Sequence, residues 1–284
     1  STDTNIVTNL SKVLGKPAYK NRLFSYLSPY NRYYTINVDT VKDVNVRKAI
    51  QCAFDFKSIL LAAGGTNAGQ YANSTIPPSI KSAYRNFTVC DRDVVKNPEA
   101  QIAKAKAYLA KATDKKTTLR FAYRDKGVEP QRAAALEQAL KAVGFTVIMD
   151  KYPGSGFYAA AAKRGGDKEP DITQTSWAFD WAAGSGIVYA LFDGRTMSKE
   201  DAKSNHSRGN FPDIQKLFAQ ADQLAPAAQE KVLGDIEQKL IQDKAAHVSV
   251  YFEVSHQMAG SKLGGIQVDG GWGDLSVIGA FVKK

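Results

Sequence analysis

The run TTLRFAYRD, EPQRAAALEQALKAVG and FTVIMDKY, between Thr117 and Tyr152, constrains the fold more than any other stretch. Its two flanks are rich in β-branched and aromatic residues, while its middle places alanine and leucine at helical spacing. Gly144 closes the helix, because the position after a last turn often takes the left-handed conformation that glycine adopts without strain. Strand, helix and strand within about 35 residues make a β-α-β unit, which requires two parallel strands in one sheet and a right-handed crossover.

The alternation continues on both sides, so the expected class is α/β. RYYTINVDT (Arg32 to Thr40) reads as a strand. Val44 to Ala63 reads as one helix, with Val46, Ala49, Ile50, Ala53 and Phe54 on a single face. Gly64 to Ile80 is a long loop, of a length that is usually functional or packed on its own side chains. Asn97 to Thr113 is an amphipathic helix with Asn97 as N-cap and Pro98 at the first helical position. Gly156 to Gly166 is a short helix and Pro170 to Phe179 a strand. Helices follow at Phe211 to Leu224 and Ala225 to Lys244. In the strand His247 to Gly260, alternation puts Val248, Val250, Phe252 and Val254 on one face and Tyr251, Glu253 and Ser255 on the other. The first 30 residues carry little periodicity. The tail, with Gly264, Gly265, Gly270, Gly271 and Gly273, reads as loop with one short strand near Ser276 to Val282.

Composition excludes more than it proposes. The 284 residues suit about two domains, and 44% apolar with 23% charged residues is ordinary for a globular chain. A net charge of +10 favours anionic partners. Yet the lysines of AQIAKAKAYLAKA sit among alanines at helical spacing, as on a solvated helix face. SYLSPYNRYYTINV brings four tyrosines near Arg22 and Arg32, the ingredients of a base-stacking platform. Tyr33 and Tyr34 open a strand pattern, however, where one ring enters the core, so no nucleic-acid partner is expected. GxSxG and SxxK are absent, and GSG at Gly154 and Gly184 completes no nucleotide loop. His206, His247 and His256 lack metal-ligand spacing, so no metal or other cofactor is expected. Cys52 and Cys90 form no CxxC; one disulfide and two buried thiols both fit. The N-terminus is polar and shows no signal peptide, and glycines and prolines keep Ile59 to Ile80 from spanning a membrane.

TSWAFDWAAGSG, Thr175 to Gly186, remains. One acid, Asp180, stands among Trp177, Phe179 and Trp181, with no Lys or Arg within ten residues on either side. It fits a turn aspartate after a strand. It also fits a catalytic acid with Asp193 as its second carboxylate, in a hydrolase acting on glycosides or peptides. Rings that lower the local dielectric favour a third role, as anchor for a ligand ammonium or guanidinium.

Five segments in order resemble the family 5 extracellular solute-binding proteins, the oligopeptide-, dipeptide- and nickel-binding components of ABC importers. They are YYTINVDTVKDVNVRKAIQCAFDFKSIL, GTNAGQYANSTIPPSI, NPEAQIAKAKAYLAKA, DITQTSWAFDWAAGSGIVYALF, and NHSRGNFPDIQKLFAQADQL with EKVLGDIEQKLIQDKAAHVSVYF. The resemblance implies a type II periplasmic-binding-protein-like lobe, a mixed sheet flanked by helices, with the first lobe largely absent. Residues 1–41 would be a hinge and first-lobe remnant, 42–250 the second lobe, and 251–284 the return toward the first. It implies a receptor and no enzyme. That receptor captures peptides or another amine-bearing, cationic solute as a monomer outside the membrane, in the periplasm or at the cell envelope. It would deliver to permease subunits and be held to the membrane through a segment not in this chain. Asp180 falls where relatives pair with a peptide's α-amino group. Ser176, Trp177 and Ala178 fall on the strand whose backbone binds an extended peptide, with Trp177 and Trp181 as walls. Asn205, Tyr251 and Glu253 match positions near the ligand or returning toward the cleft. Ala182, Ala183 and Gly184 depart from the family's Pro and second acid, and Phe56 replaces an Arg after Asp55.

Overall fold

The computed structural model describes residues 10–269 and 274–283. A six-stranded sheet in the order β2-β6-β1-β5-β3-β4 forms its centre. The strands are β1 (Leu23–Ile36), β2 (Gly69–Tyr71), β3 (Thr118–Asp125), β4 (Thr146–Pro153), β5 (Ile172–Trp177) and β6 (His247–Met258). The β-α-β unit behaves as its spacing requires: β3 and β4 run parallel from Thr118 beside Thr146 to Asp125 beside Pro153. β3 is also parallel to β5, whereas β1 is antiparallel to β5 and β6, so the sheet is mixed.

Helices cover both faces. On one lie α1 (Val44–Ala53), α2 (Phe56–Ala63), α3 (Ile102–Lys111) and α4 (Glu129–Val143), around a core with Tyr34, Ile36, Phe121, Ile172 and Val248. On the other lie α5 (Phe157–Ala162), α6 (Ser185–Phe192), α7 (Pro212–Ala221) and α8 (Pro226–Gln242). Successive strand residues face opposite ways. Tyr33 and Tyr34 therefore enter different cores, each only 1% exposed. One ring was expected inside; both are, because the strand is covered twice. A nucleic-acid platform loses two of its four tyrosines this way, and its Arg32 is ion-paired with Glu253 at 2.5 Å.

Several boundaries move for identifiable reasons. The helix expected from Val44 to Ala63 is two helices, because Asp55 caps the second by accepting from the Ser58 amide at 2.9 Å. The helix expected from Asn97 starts at Ile102. Its would-be first turn bonds sideways to the α1–α2 break, with the Phe56 amide on the Pro98 carbonyl and the Gln101 amide on the Cys52 carbonyl. β1 begins nine residues before Arg32 and ends at Ile36, before the expected Thr40. Alternation missed its first half because Ser28, Pro29 and Tyr30 bulge opposite a single β6 residue, Glu253. Pro has no N–H for a ladder and is at home in a bulge.

A second bulge, at Val250, shifts the phase of β6, so Val248, Val250 and Tyr251 all join the same core and the expected two-face division fails. β1 and eight of the twelve residues of β6, Tyr251 to Met258, lie outside residues 42–250 but pair into the same sheet. Two small hairpin-like pairs form in the tail, Gln267–Asp269 with Asp274–Ser276 and Leu263–Gly264 with Phe281–Val282. The polar start, residues 1–9, and Gly270, Gly271 and Gly273 lie outside the described residues.

The long Gly64 to Ile80 loop is packed. Asn73, Ser74, Thr75 and Ile76 are buried. The Glu237 carboxylate of α8 accepts from Ser74 Oγ at 2.6 Å and from the Thr75 and Ile76 amides. Thr75 Oγ1 meets His247 Nε2 at 2.7 Å and Ser249 Oγ at 2.8 Å. Cys52 and Cys90 form a disulfide with Cα atoms 5.2 Å apart, closing the alternative of two thiols.

Candidate functional site

β5 carries the site because its two neighbours treat it differently. β1 pairs with it as far as Trp177, but β3 pairs only at Ile172 and Thr173 and then splays away. On the β3 side, Gln174 to Trp177 thus have no ladder partner among the described residues. A cleft of about 440 Å³ opens there. Ser176, Trp177, Ala178 and Asp180 form one wall. Tyr30 and Tyr158 contribute rings, and the loop with Lys203, Ser204 and His206 lies across from them.

The turn after β5 is tightly bonded. The Asp180 amide donates to the Gly186 carbonyl at 3.2 Å, and Trp177 Nε1 donates to the same oxygen at 3.4 Å. Phe179 is buried against α6, but Trp181 is 52% exposed and donates its Nε1 to Ser185 Oγ at 2.9 Å. Asp180 is itself exposed, and its carboxylate has no protein partner among the described residues. The dry aromatic setting expected for it is absent, because the turn points Trp181 outward. The carboxylate is instead free to meet a ligand from solvent.

The other expected site residues are not brought here. Asn205 is buried beside the cleft, donating to the Gly209 carbonyl at 3.1 Å and accepting from Ser207 Oγ at 2.8 Å. Tyr251 lies in the core on the α4 side and accepts from Arg132 at 2.8 Å. Glu253 is paired with Arg32. Asp193, the proposed second carboxylate of a hydrolase, sits at the far end of α6, caps the Arg195 amide and is ion-paired with that side chain at 2.7 Å. The two acids do not share the cleft.

Sequence reasoning missed Tyr30, Tyr158, Lys203 and His206. The signal for Tyr30 was Pro29, since the bulge turns Tyr30 out into the cleft, 48% exposed. His206 stacks beside Tyr158 with centroids 6.3 Å apart. Burial and the Arg208 charge lower its pKa to about 4, and burial lowers that of His247, stacked on Tyr33, to about 3.

Both histidines bind protons less readily folded than unfolded, so the unfolded chain takes up protons first as pH falls. Stability should be greatest above about pH 6.5 and fall below it, by up to about 1.4 kcal/mol per pH unit for each. Burial raises the pKa of Glu237, which opposes this trend in the acid range. Urea midpoints at pH 7, 6 and 5 should fall more steeply for the wild type than for His206→Gln; equal slopes would refute the assignment.

The comparisons agree with this architecture. The sequence matches the family described as bacterial extracellular solute-binding proteins, family 5 Middle, over residues 4–199. No curated protein sequence matches the chain. Among solved structures, the clavulanic acid biosynthesis oligopeptide binding protein 2 is similar with a TM-score of 0.81 and 16% identity, covering 93% of this chain and 48% of its own. The oligopeptide-binding protein AppA from Bacillus subtilis, solved with a nonapeptide, gives 0.76 and 18%, covering 98% and 55%. A dipeptide-binding protein from Pseudoalteromonas sp. SM9913, solved with Met-Leu, gives 0.71 and 18%, covering 97% and 52%. The chain spans about half the length of these proteins. At such identity the likeness shows the fold. The sequence match, over more than half of the chain, shows the family: the chain belongs to the family 5 bacterial extracellular solute-binding proteins.

Proposed function

We propose that the chain captures short peptides bearing a free amino group, for uptake by an ABC importer. The observation that carries this is the edge of β5 without a ladder partner on the β3 side, which lines the cleft from Thr175 to Trp177 and ends beside the unpaired carboxylate of Asp180. An extended peptide laid on that edge adds a strand through its main chain, which is largely blind to side-chain identity. Its ammonium then reaches Asp180 in a charge-assisted bond. Tyr30, Tyr158 and Trp177 offer apolar walls, and Trp181 lies at the rim. Asn205 acts by shaping the loop that carries Lys203 and Ser204. The chain is a receptor without turnover, working as a monomer at the outer face of the membrane and handing its ligand to permease subunits. Relatives solved with a nonapeptide and with Met-Leu support the peptide class.

An amide-resolved NMR titration tests this at millimolar ligand. Trialanine should shift resonances of residues 173–180 and 203–206, and N-acetyl-trialanine should bind at least tenfold more weakly. Asp180→Asn should erase that difference while leaving the fold intact. Shifts elsewhere, or equal binding of both peptides, would refute the site. Hydrolysis of either peptide would favour an enzyme instead.

A further inference from the structure

We infer that Glu230 is a positioning residue for the ammonium contact at Asp180, fixing from a distant helix the turn that carries it. The inference rests on the ligand reading above. The turn leads into α6, whose N-cap position is Gly184, with no side chain of its own to cap the helix. A helix start leaves its first amides without intrahelical partners, and a short polar side chain at the N-cap normally serves them. Here the Glu230 carboxylate, from the first turns of α8, supplies the missing acceptor. It accepts from the Gly184 amide at 2.6 Å and the Ser185 amide at 3.2 Å, with Ser82 Oγ at 3.3 Å.

The fit admits no side chain at Gly184. A Cβ there would stand 2.6 Å from Ala83 Cβ and 2.9 Å from Glu230 Oε2. A Cβ on Gly186 would stand 2.5 Å from the Trp181 carbonyl, so the turn is wrapped closely onto the helix start. Gly186 in turn accepts the Asp180 amide. The connection runs from Glu230 to the amides of Gly184 and Ser185, then through Gly186 to the backbone of Asp180. Gly184 lies in the segment where the family resemblance leads one to expect a proline and an acid. The acid that holds this turn comes from α8, and Asp180 is the single acidic side chain between Thr175 and Gly186.

Amide exchange and peptide titration on the whole chain test this together. Glu230→Gln keeps the shape, but its amide nitrogen opposes one of the two donors. Amides of Asp180, Gly184 and Ser185 should exchange at least tenfold faster, with β1 and β6 protection unchanged as the control for folding. The preference for trialanine over N-acetyl-trialanine should fall at least threefold. Glu230→Asp keeps the charge but withdraws it by one methylene, and should move both readouts the same way. A purely structural role would lower the unfolding midpoint and leave the preference intact, which overturns the inference. So does unchanged exchange at those amides. A wild-type chain with no such preference overturns the ammonium site and this inference with it. A preference that survives Glu230→Gln overturns this inference alone.

Discussion

Replacing Arg208 with alanine should destabilise the chain by about 3–5 kcal/mol, the cost of breaking a buried charge pair from one side. The Arg208 side chain is fully buried. Its Nε donates to Glu169 at 3.1 Å, Nη1 to the His206 carbonyl at 2.8 Å, and Nη2 to the Ala161 and Lys163 carbonyls at 2.7 and 2.9 Å. Truncation leaves a half-buried carboxylate and three carbonyls short of a donor, on top of a cavity. Glu169 keeps the Asn37 amide group and the Gly165 amide as partners, which limits the loss. Lysine should recover only part of it, because a single ammonium cannot reproduce the planar fork. The guanidinium ties the 161–169 segment to the 202–209 loop, the wall holding Lys203, Ser204 and His206. Ligand binding should therefore weaken in the folded fraction as well. Urea unfolding measures the first effect; a loss under about 1 kcal/mol would show that Arg208 does not organise this wall.

Arg208 also marks the limit of what was legible. The fold class could be read because strands and helices repeat their own periods, and Thr117–Tyr152 does so without interruption. Asp180, Ser176, Trp177 and Ala178 were expected from the family resemblance, and they line one cleft because they are neighbours on one strand and turn. Tyr30, Tyr158, Lys203 and His206 come from three other segments and meet only through the fold. Tyr251 and Glu253 were expected near the cleft from the family resemblance, but they bond to Arg132 and Arg32 on the α4 side, and the Val250 bulge breaks the period of two that assigned their strand face. Arg208 gave no signal, since a buried arginine looks like a surface one until its carbonyl partners are known. Glu230 was hidden for the same reason, standing 46 residues from the amide it caps.

Removing the Cys52–Cys90 disulfide should cost about 4 kcal/mol, from the entropy returned to an unfolded chain freed of a 38-residue loop. Alanine is the appropriate replacement, because Cys52 is fully buried in the α1 core and serine would bury a hydroxyl there. The native structure should survive in the Cys52→Ala/Cys90→Ala variant. The closed loop is held independently by Glu237 on Ser74 to Ile76, and Arg92 beside it donates to the Phe54 carbonyl at 2.7 Å. The loss should thus appear as a lower urea midpoint in the variant and, equally, in the wild type under reductant, with ligand-induced shifts at β5 unchanged. Equal midpoints with and without reductant would mean that the bond adds nothing to these contacts. A stabilisation of this size depends on the bond staying oxidised. Disulfides persist where the surroundings are oxidising, as outside the membrane, and are rare in the reducing cytosol. A midpoint that drops in reductant would tie the stability of the chain to an oxidising environment.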